Sequence, residues 1–257
     1  MSDELEQRDL VGSLRKGLDV LGILAAHPAG MTLTEMAAAA GLTRAGARRL
    51  LLTLVAAGFA AQDGRRFALT PRLLGLARQW LDGTSLWTFA EPHMLVVAAQ
   101  LKESCSAAVL SDEDVVYVAR VPGERIMSVA LHVGARLPAY CTSMGRVLLS
   151  DLGEAELERF LHRAAISRRT EKTVTDRREL HALIVQAAVQ GFAAVDEELE
   201  IGLRSIAVPI HDRSGRIIAA INVSTQSGRF TVAAMRREIL PLLQRAAGEI
   251  EGFLAVQ

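Results

Sequence analysis

The stretch from Thr32 to Leu69 constrains this chain most, because its punctuation leaves room for little but a helix–turn–helix with a hairpin behind it. Thr32-Leu33-Thr34-Glu35 reads as a capping box, with the Thr32 hydroxyl and the Glu35 carboxylate each meeting the other's backbone N–H. Met36, Ala37 and Ala40 give the short helix an inward side, Gly41 suits the left-handed position just past its end, and Leu42 is the expected buried residue of the turn. Thr43 caps a third helix, predicted over residues 44–57 and stopped by Gly58, with Ala47, Leu50, Leu51 and Leu54 facing inward. A first helix is predicted over 14–26, capped by Ser13, with Leu14, Leu18, Leu21 and Ala25 on its inward face. The turn His27-Pro28-Ala29-Gly30 ends it. After the third helix, Asp63-Gly64 sits between two short alternating segments, 59–62 and 65–69, which is a hairpin signal. Helix, helix–turn–helix and hairpin in that order make a winged helix–turn–helix.

Charge supports a nucleic-acid role for this stretch and for no other. The whole chain carries 29 basic and 29 acidic side chains, so its net charge is zero and a globally basic nucleic-acid coat is excluded. Between Leu10 and Leu81, however, basic residues outnumber acidic ones by nine to three. Arg44, Arg48 and Arg49 lie off the apolar face of the third helix, beside Ala45, where a helix in a major groove meets base edges and phosphates. Thr43 and the open N–H groups behind it suit a backbone phosphate. Thr32 and Thr34 flank the bracing helix, and Arg65 and Arg66 stand at the wing. The plain alternative is a solvated arginine face and an ordinary polar hairpin.

With 257 residues, half of them hydrophobic, there is chain enough for about two domains with real cores. Thr70-Pro71 opens a further helix carrying Leu73, Leu74, Ala77, Trp80 and Leu81, broken by Asp82-Gly83-Thr84-Ser85. Another is predicted over 92–104. Beyond Cys105 the texture becomes mixed: strands are predicted over 107–110, 115–119, 127–133, 205–211 and 216–225, and helices over 143–150, 154–162, 177–190 and 232–254. The fold class is α+β. Cys105 and Cys141 make neither a disulfide framework nor a zinc site, and the six histidines show no metal-ligand spacing, so neither metal nor cofactor is expected. No dinucleotide, P-loop or nucleophile-elbow motif is present, and Glu197, Glu198 and Glu200 read as a charged turn rather than as acid–base machinery. No apolar run approaches the ~18 residues of a membrane helix, and the start lacks a secretory pattern. A cytoplasmic protein that is not an enzyme is the expectation.

The winged helix–turn–helix, the run Pro138-Ala139-Tyr140-Cys141-Thr142-Ser143-Met144-Gly145-Arg146-Val147-Leu148-Leu149, and the segments 191–198 (GFAAVDEE) and 202–212 (GLRSIAVPIHD) together resemble the IclR family of transcriptional regulators. The likeness runs from Val11 nearly to the end. Arg146-Val147-Leu148-Leu149, Glu198-Leu199-Glu200 and Asn222-Val223-Ser224-Thr225 are most similar to its PcaR/PcaU/PobR-like branch, which governs aromatic-acid catabolism through the β-ketoadipate pathway. The resemblance implies a DNA-binding domain over 11–70, a linker helix over 71–84 and a GAF-like effector domain over 85–257. It also implies a homodimer or tetramer on double-stranded operator DNA, controlled by a small organic acid.

The resemblance further implies an effector pocket built from Ser143, Met144 and Gly145, a position matching Val195, one matching Ser205, and Asn222 with Ser224. Relatives often have a carboxylate at the Val195 position and cysteine at that of Ser205; valine cannot hydrogen-bond a ligand, which favours a larger, less polar acid over a glyoxylate- or pyruvate-like one. From the residues themselves, the amides opening a helix near Ser143 suit an anion, and Gly145 allows close approach. Asn222 and Ser224 share strand parity and hence one face of a sheet, Arg120 ends a strand and can clamp a carboxylate, and Met127 can line an apolar wall. Each has a structural alternative: helix cap, packing glycine, cross-strand pair, rim arginine, core methionine. The rival readings of the whole chain are a ligand-binding enzyme and a ligand-independent architectural DNA binder.

Overall fold

Residues 10–76, 85–123 and 131–256 are described by the structure, a computed structural model. The chain divides into two units, Met1–Gly83 and Thr84–Gln257.

In the first unit, α1 (Gly12–Ala25), α2 (Leu33–Ala39) and α3 (Arg44–Ala56) pack over a three-stranded sheet of order β1-β3-β2, with β1 at Met31–Thr32, β2 at Ala60–Asp63 and β3 at Arg66–Leu69. The capping box is formed: Glu35 N–H donates to Thr32 Oγ1 at 3.3 Å and Thr32 N–H to Glu35 Oε2 at 2.7 Å. These bonds hold the Glu35 carboxyl below the usual carboxylate range. Gly41 is left-handed, with φ 61°. Thr43 Oγ1 then accepts from Gly46 N–H at 3.1 Å to start α3. The wing is an antiparallel pair with Asp63 opposite Arg66. It gains a third strand that the sequence did not announce, because the two residues after Gly30 pair with it, Met31 opposite Phe67.

The first helix departs from expectation. It begins at Gly12 with Val11 at the cap and no side-chain cap bond, so Ser13 is not the cap. Its buried residues are Val20 and Leu24, whereas Leu14 and Leu18 are 62% and 60% exposed. The helix is apolar along two sides. Spacing alone does not choose between them; the side that meets Ala47, Leu51 and Phe67 is the one buried.

The second unit is built on a six-stranded antiparallel sheet of order β6-β5-β4-β9-β8-β7. The strands are β4 (Ser104–Ser111), β5 (Asp114–Val121), β6 (Arg136–Pro138), β7 (Ala193–Asp196), β8 (Leu203–His211) and β9 (Ile217–Gln226). One face is packed by α4 (Ser85–Leu101) and the C-terminal α8 (Leu240–Val256), which clamp each other through Phe89 stacked on Phe253 at 4.1 Å. The other face carries α5 (Ser143–Leu149), with α6 (Glu154–Arg163) and α7 (Arg177–Gln190) outside it.

Here α4 starts earlier than predicted and runs through Pro92. Proline is tolerated because Thr88, whose carbonyl loses its N–H partner, and Pro92 both face solvent. The helix stops at Leu101, and Ser104 already belongs to β4. Residues 127–130 of the strand predicted at 127–133 lie outside the described residues, as do 77–84 of the predicted linker; 131–133 are not a strand. Before α8, residues Met235–Ile239 form one π-helical turn. The short strands β6 and β7 were not predicted; three and four residues are too few for alternation to register.

Candidate functional site

Two places in the fold gather chemistry. The first is the exposed side of α3. Arg44, Ala45, Arg48 and Arg49 are all exposed there, and no described acid pairs with the three arginines. Arg44 and Arg48, one turn apart, share a line along the helix. Arg49, roughly 100° further round, borders an apolar groove lined by Leu14, Leu18 and Leu50. Thr32 and Thr43 spend their hydroxyl oxygens on caps, while Thr34 is exposed on α2. The two wing arginines differ: Arg65 is exposed, whereas Arg66 Nη1 donates to the Gly30 carbonyl at 2.7 Å and pins the wing to the turn before β1. A braced helix with unpaired guanidinium groups along one side is equipped to meet phosphates and guanine edges.

The second place is a cavity on the α5 face of the large sheet. Ser205, Asn222 and Ser224 line it from β8 and β9, with Ser205 directly opposite Ser224. Val195 of β7 stands beside Ser205 and gives an apolar wall, continued by Leu199 and Leu203. Tyr117, Leu131 and Leu137 close the other side, and Cys141 and Thr142 the top. Asn222 is 3% exposed; its Nδ2 donates to Ser224 Oγ at 3.1 Å, and its Oδ1, fully buried, has no partner. Orphaned buried acceptors are costly and uncommon, so this one calls for a physical reason. The cavity volume is about 20 Å³, space for roughly one water.

Ser143, Met144 and Gly145 are placed differently. None is among the residues lining the cavity. The cap of α5 is Thr142, whose Oγ1 accepts from Gly145 N–H at 3.2 Å, so that amide is already used. Met144 is buried in the helix-side core, and Ser143 Oγ is buried without a partner. Gly145 is glycine for packing: a Cβ there would lie 2.0 Å from the Ala139 carbonyl oxygen. Arg120, half-buried on β5, reaches Ser106 Oγ at 3.3 Å; Met127 lies outside the described residues.

The segment that brings Leu199 to the cavity is anchored by a buried ion pair. Arg146 Nη2 meets Glu198 Oε2 at 2.6 Å with both side chains under 10% exposed, and Val174 N–H donates to the same oxygen at 3.2 Å. The Thr170 and Thr173 hydroxyls donate to the Glu197 and Glu198 carbonyls. Glu198 is therefore a structural acid, and Ser104, Ser106, Thr142 and Glu198 are the residues that sequence reading did not bring to this region. Parity along β4 would have shown the two serines, given its pairing with β9.

Catalytic chemistry finds no support in these surroundings. Burial pushes the Cys141 thiol up to about 11 and that of Cys105 to about 12, so neither is an activated nucleophile. No group of three or more His, Cys, Asp or Glu among the described residues can hold a metal ion, and no described helix is long and apolar enough to cross a membrane.

Comparison with known proteins identifies both parts of the chain. Residues 13–64 match the IclR helix-turn-helix domain, and residues 78–251 match the family described as bacterial transcriptional regulator IclR C-terminal. The chain is 42% identical over 243 residues to the Pca regulon regulatory protein of Pseudomonas putida, covering 94% of this chain and 84% of that one. It is 31% identical over 258 residues to the p-hydroxybenzoate hydroxylase transcriptional activator of Acinetobacter baylyi, covering 98% and 95%. Among solved structures, an IclR homolog from Microbacterium hydrocarbonoxydans complexed with 4-hydroxybenzoate superposes with a TM-score of 0.83, at 27% identity, over 95% of this chain and 100% of that one. These relatives are regulators rather than enzymes, and their DNA-binding and C-terminal parts are both present here. The chain is a member of the IclR family of bacterial transcriptional regulators.

Proposed function

We propose that this regulator binds operator DNA through α3 and its wing as a homodimer or tetramer, and that an aromatic monocarboxylic acid, or an acid formed in its breakdown, controls it from the cavity on the large sheet. The observation that carries the reading is the pairing of an arginine-faced helix–turn–helix with a cavity whose buried Asn222 Oδ1 lacks a partner. Val195, Leu199 and Leu203 supply an apolar wall for a ring, and Ser205, Asn222 and Ser224 supply hydrogen bonds for its substituents. The names of the relatives support the same chemistry, since one activates a p-hydroxybenzoate hydroxylase gene and another was crystallised with 4-hydroxybenzoate.

A cavity of about 20 Å³ does not accept a benzene ring without opening. A ligand that fits only the opened form shifts the population toward it, which is what an effector must do to change DNA affinity. The test is a fluorescence-anisotropy titration of the full chain on duplexes from its own promoter region, with and without 4-hydroxybenzoate, 3-hydroxybenzoate or protocatechuate. Salt-sensitive duplex binding that one of these acids alters is the expected result. Duplex binding indifferent to every acid, with no thermal shift from any of them, overturns the effector assignment; no duplex binding at low ionic strength overturns the regulator as a whole.

A further inference from the structure

The cavity has polar groups on its sheet side, but none of its described lining residues is charged, whereas a carboxylate taken out of water needs a cationic partner. One lies in the next row of the same sheet face. Ser106 of β4 stands opposite Arg120 of β5 on one side and opposite Asn222 of β9 on the other. The three side chains therefore form a row across three strands, on the face that carries the cavity. Ser106 and Asn222 are 2% and 3% exposed, and Arg120 leans along the row to donate from Nη1 to Ser106 Oγ at 3.3 Å. No described carboxylate pairs with Arg120. Burial pushes the hydroxyl of the cavity-lining Tyr117 up, and the Arg120 charge opposes that rise. Hence the guanidinium stands in the row of the cavity-lining Asn222, with no described carboxylate on it.

We propose that Arg120, Ser106 and Asn222 form the carboxylate anchor of the effector site, so that the acid group lies at the β5–β4 end and the ring extends toward Val195 and Leu199. This rests on the effector reading given above and adds to it the orientation of the ligand and Ser106 as a contact. The hydrogen-bond inventory is consistent. Arg120 keeps donors to spare beyond Ser106, and Ser106 keeps its own hydroxyl proton to give. Turning the Asn222 amide over preserves its contact with Ser224, which then donates, and puts the NH₂ where the unpaired oxygen stands, aimed at an anion. The next row, Ser224 opposite Ser205, is left for a substituent on the far side of the ring.

The experiment is isothermal calorimetry on the full chain with two probes, 4-hydroxybenzoate and its neutral analogue 4-hydroxybenzamide, for the wild type and for Arg120→Met, Ser106→Ala and Ser205→Ala. The wild type should prefer the acid. Arg120→Met should weaken acid binding by about ten- to a hundredfold while leaving the amide almost unchanged, since charged hydrogen bonds are the stronger class. Ser106→Ala should follow in the same direction, more weakly, and Ser205→Ala should weaken both probes alike. A melting temperature kept by Arg120→Met shows that the change is not one of folding, and Ser106→Ala serves as the second probe if it is not kept. Equal loss for acid and amide in Arg120→Met, or no loss for either, refutes the anchor while the effector site stands. If the wild type binds neither probe nor any other aromatic acid, the effector reading itself fails and the anchor falls with it.

Discussion

Replacing Gly145 with alanine separates two readings of one residue. If Gly145 is glycine so that a ligand can approach the backbone, alanine should weaken effector binding and leave stability alone. The geometry says otherwise. An alanine Cβ would lie 2.0 Å from the Ala139 carbonyl oxygen, 2.4 Å from its Cα and 2.5 Å from its carbonyl carbon, all of them backbone. Backbone cannot swing aside as a side-chain end does, so α5 must lift off the turn at Ala139–Cys141 or that turn must shift. Overpacking of this kind costs about 1–3 kcal/mol, and the absence of any movable neighbour puts Gly145→Ala at the upper end or beyond. At roughly 2–4 °C per kcal/mol for a unit of this size, the melting temperature of the second unit should fall by about 6–12 °C. Gly248→Ala is the internal control: it lies exposed within α8, a Cβ there meets nothing within 4 Å, and the change should stabilise by about 0.5–1 kcal/mol. Both are read by circular dichroism melts of the full chain. Wild-type melting of Gly145→Ala with weakened effector binding would refute the packing argument and restore the ligand-approach role.

Three further predictions are independent of it. Arg48→Ala should lower duplex affinity about tenfold or more and reduce the salt slope by about one, with the melt unchanged, because Arg48 is exposed and makes no contact that folding needs; gel-shift titrations over a salt series check this. Arg146→Met should cost about 3–5 kcal/mol by leaving the Glu198 carboxylate buried without its partner, and pairing it with Glu198→Leu should recover most of that in urea melts. Arg204 and Lys172 hold the Asp196 carboxyl below its ordinary value. Its pairing thus stabilises the fold above the unfolded pKa of about 3.9 and is lost as pH falls through the lower folded value. Asp196→Asn should therefore melt below the wild type at pH 7, and the gap should close toward pH 2.

How much could be read in advance depended on how far apart the interacting residues lie. The head was legible because its determinants are local: Thr32 with Glu35, Gly41 with its turn, Asp63-Gly64 with its flanking pairs, each settled within a few residues. The burial of α1 was not, because Leu14 and Leu24 are equally apolar and only α3 and the wing decide between the two sides. The cavity was legible in part. Parity placed Asn222 and Ser224 on one face, and Ser205 sits on the strand before theirs, directly opposite Ser224. Ser106 was out of reach, since β4 pairs with β9 more than a hundred residues later and no local pattern specifies that neighbour. Ser143–Gly145 is the converse case: the motif reads as a ligand loop, yet its glycine packs on Ala139 and that glycine's amide belongs to the Thr142 cap.

The same geometry bounds how an effector can act. The strand side of the cavity is continuous sheet, and moving Ser205 or Asn222 means breaking ladder bonds to two neighbours each. On the β7 side, Leu199 is held by the Arg146–Glu198 pair and by the Thr170 and Thr173 hydroxyls. Leu131 and Leu137, by contrast, come from 131–138, where β6 pairs with β5 alone and Gly134, with φ 89°, makes the turn. Opening on that side leaves the rest of the sheet paired and breaks only the bonds of this segment to β5, those of Arg136 to Ser111 and Asp114 among them. An effector that enters there does work only against the difference between the two forms, and the regulation it exerts cannot exceed that difference. A substitution that loosens this side, such as Leu137→Ala, should therefore tighten effector binding while shrinking the effector's influence on duplex affinity; tighter binding with undiminished influence would show that the cavity opens elsewhere.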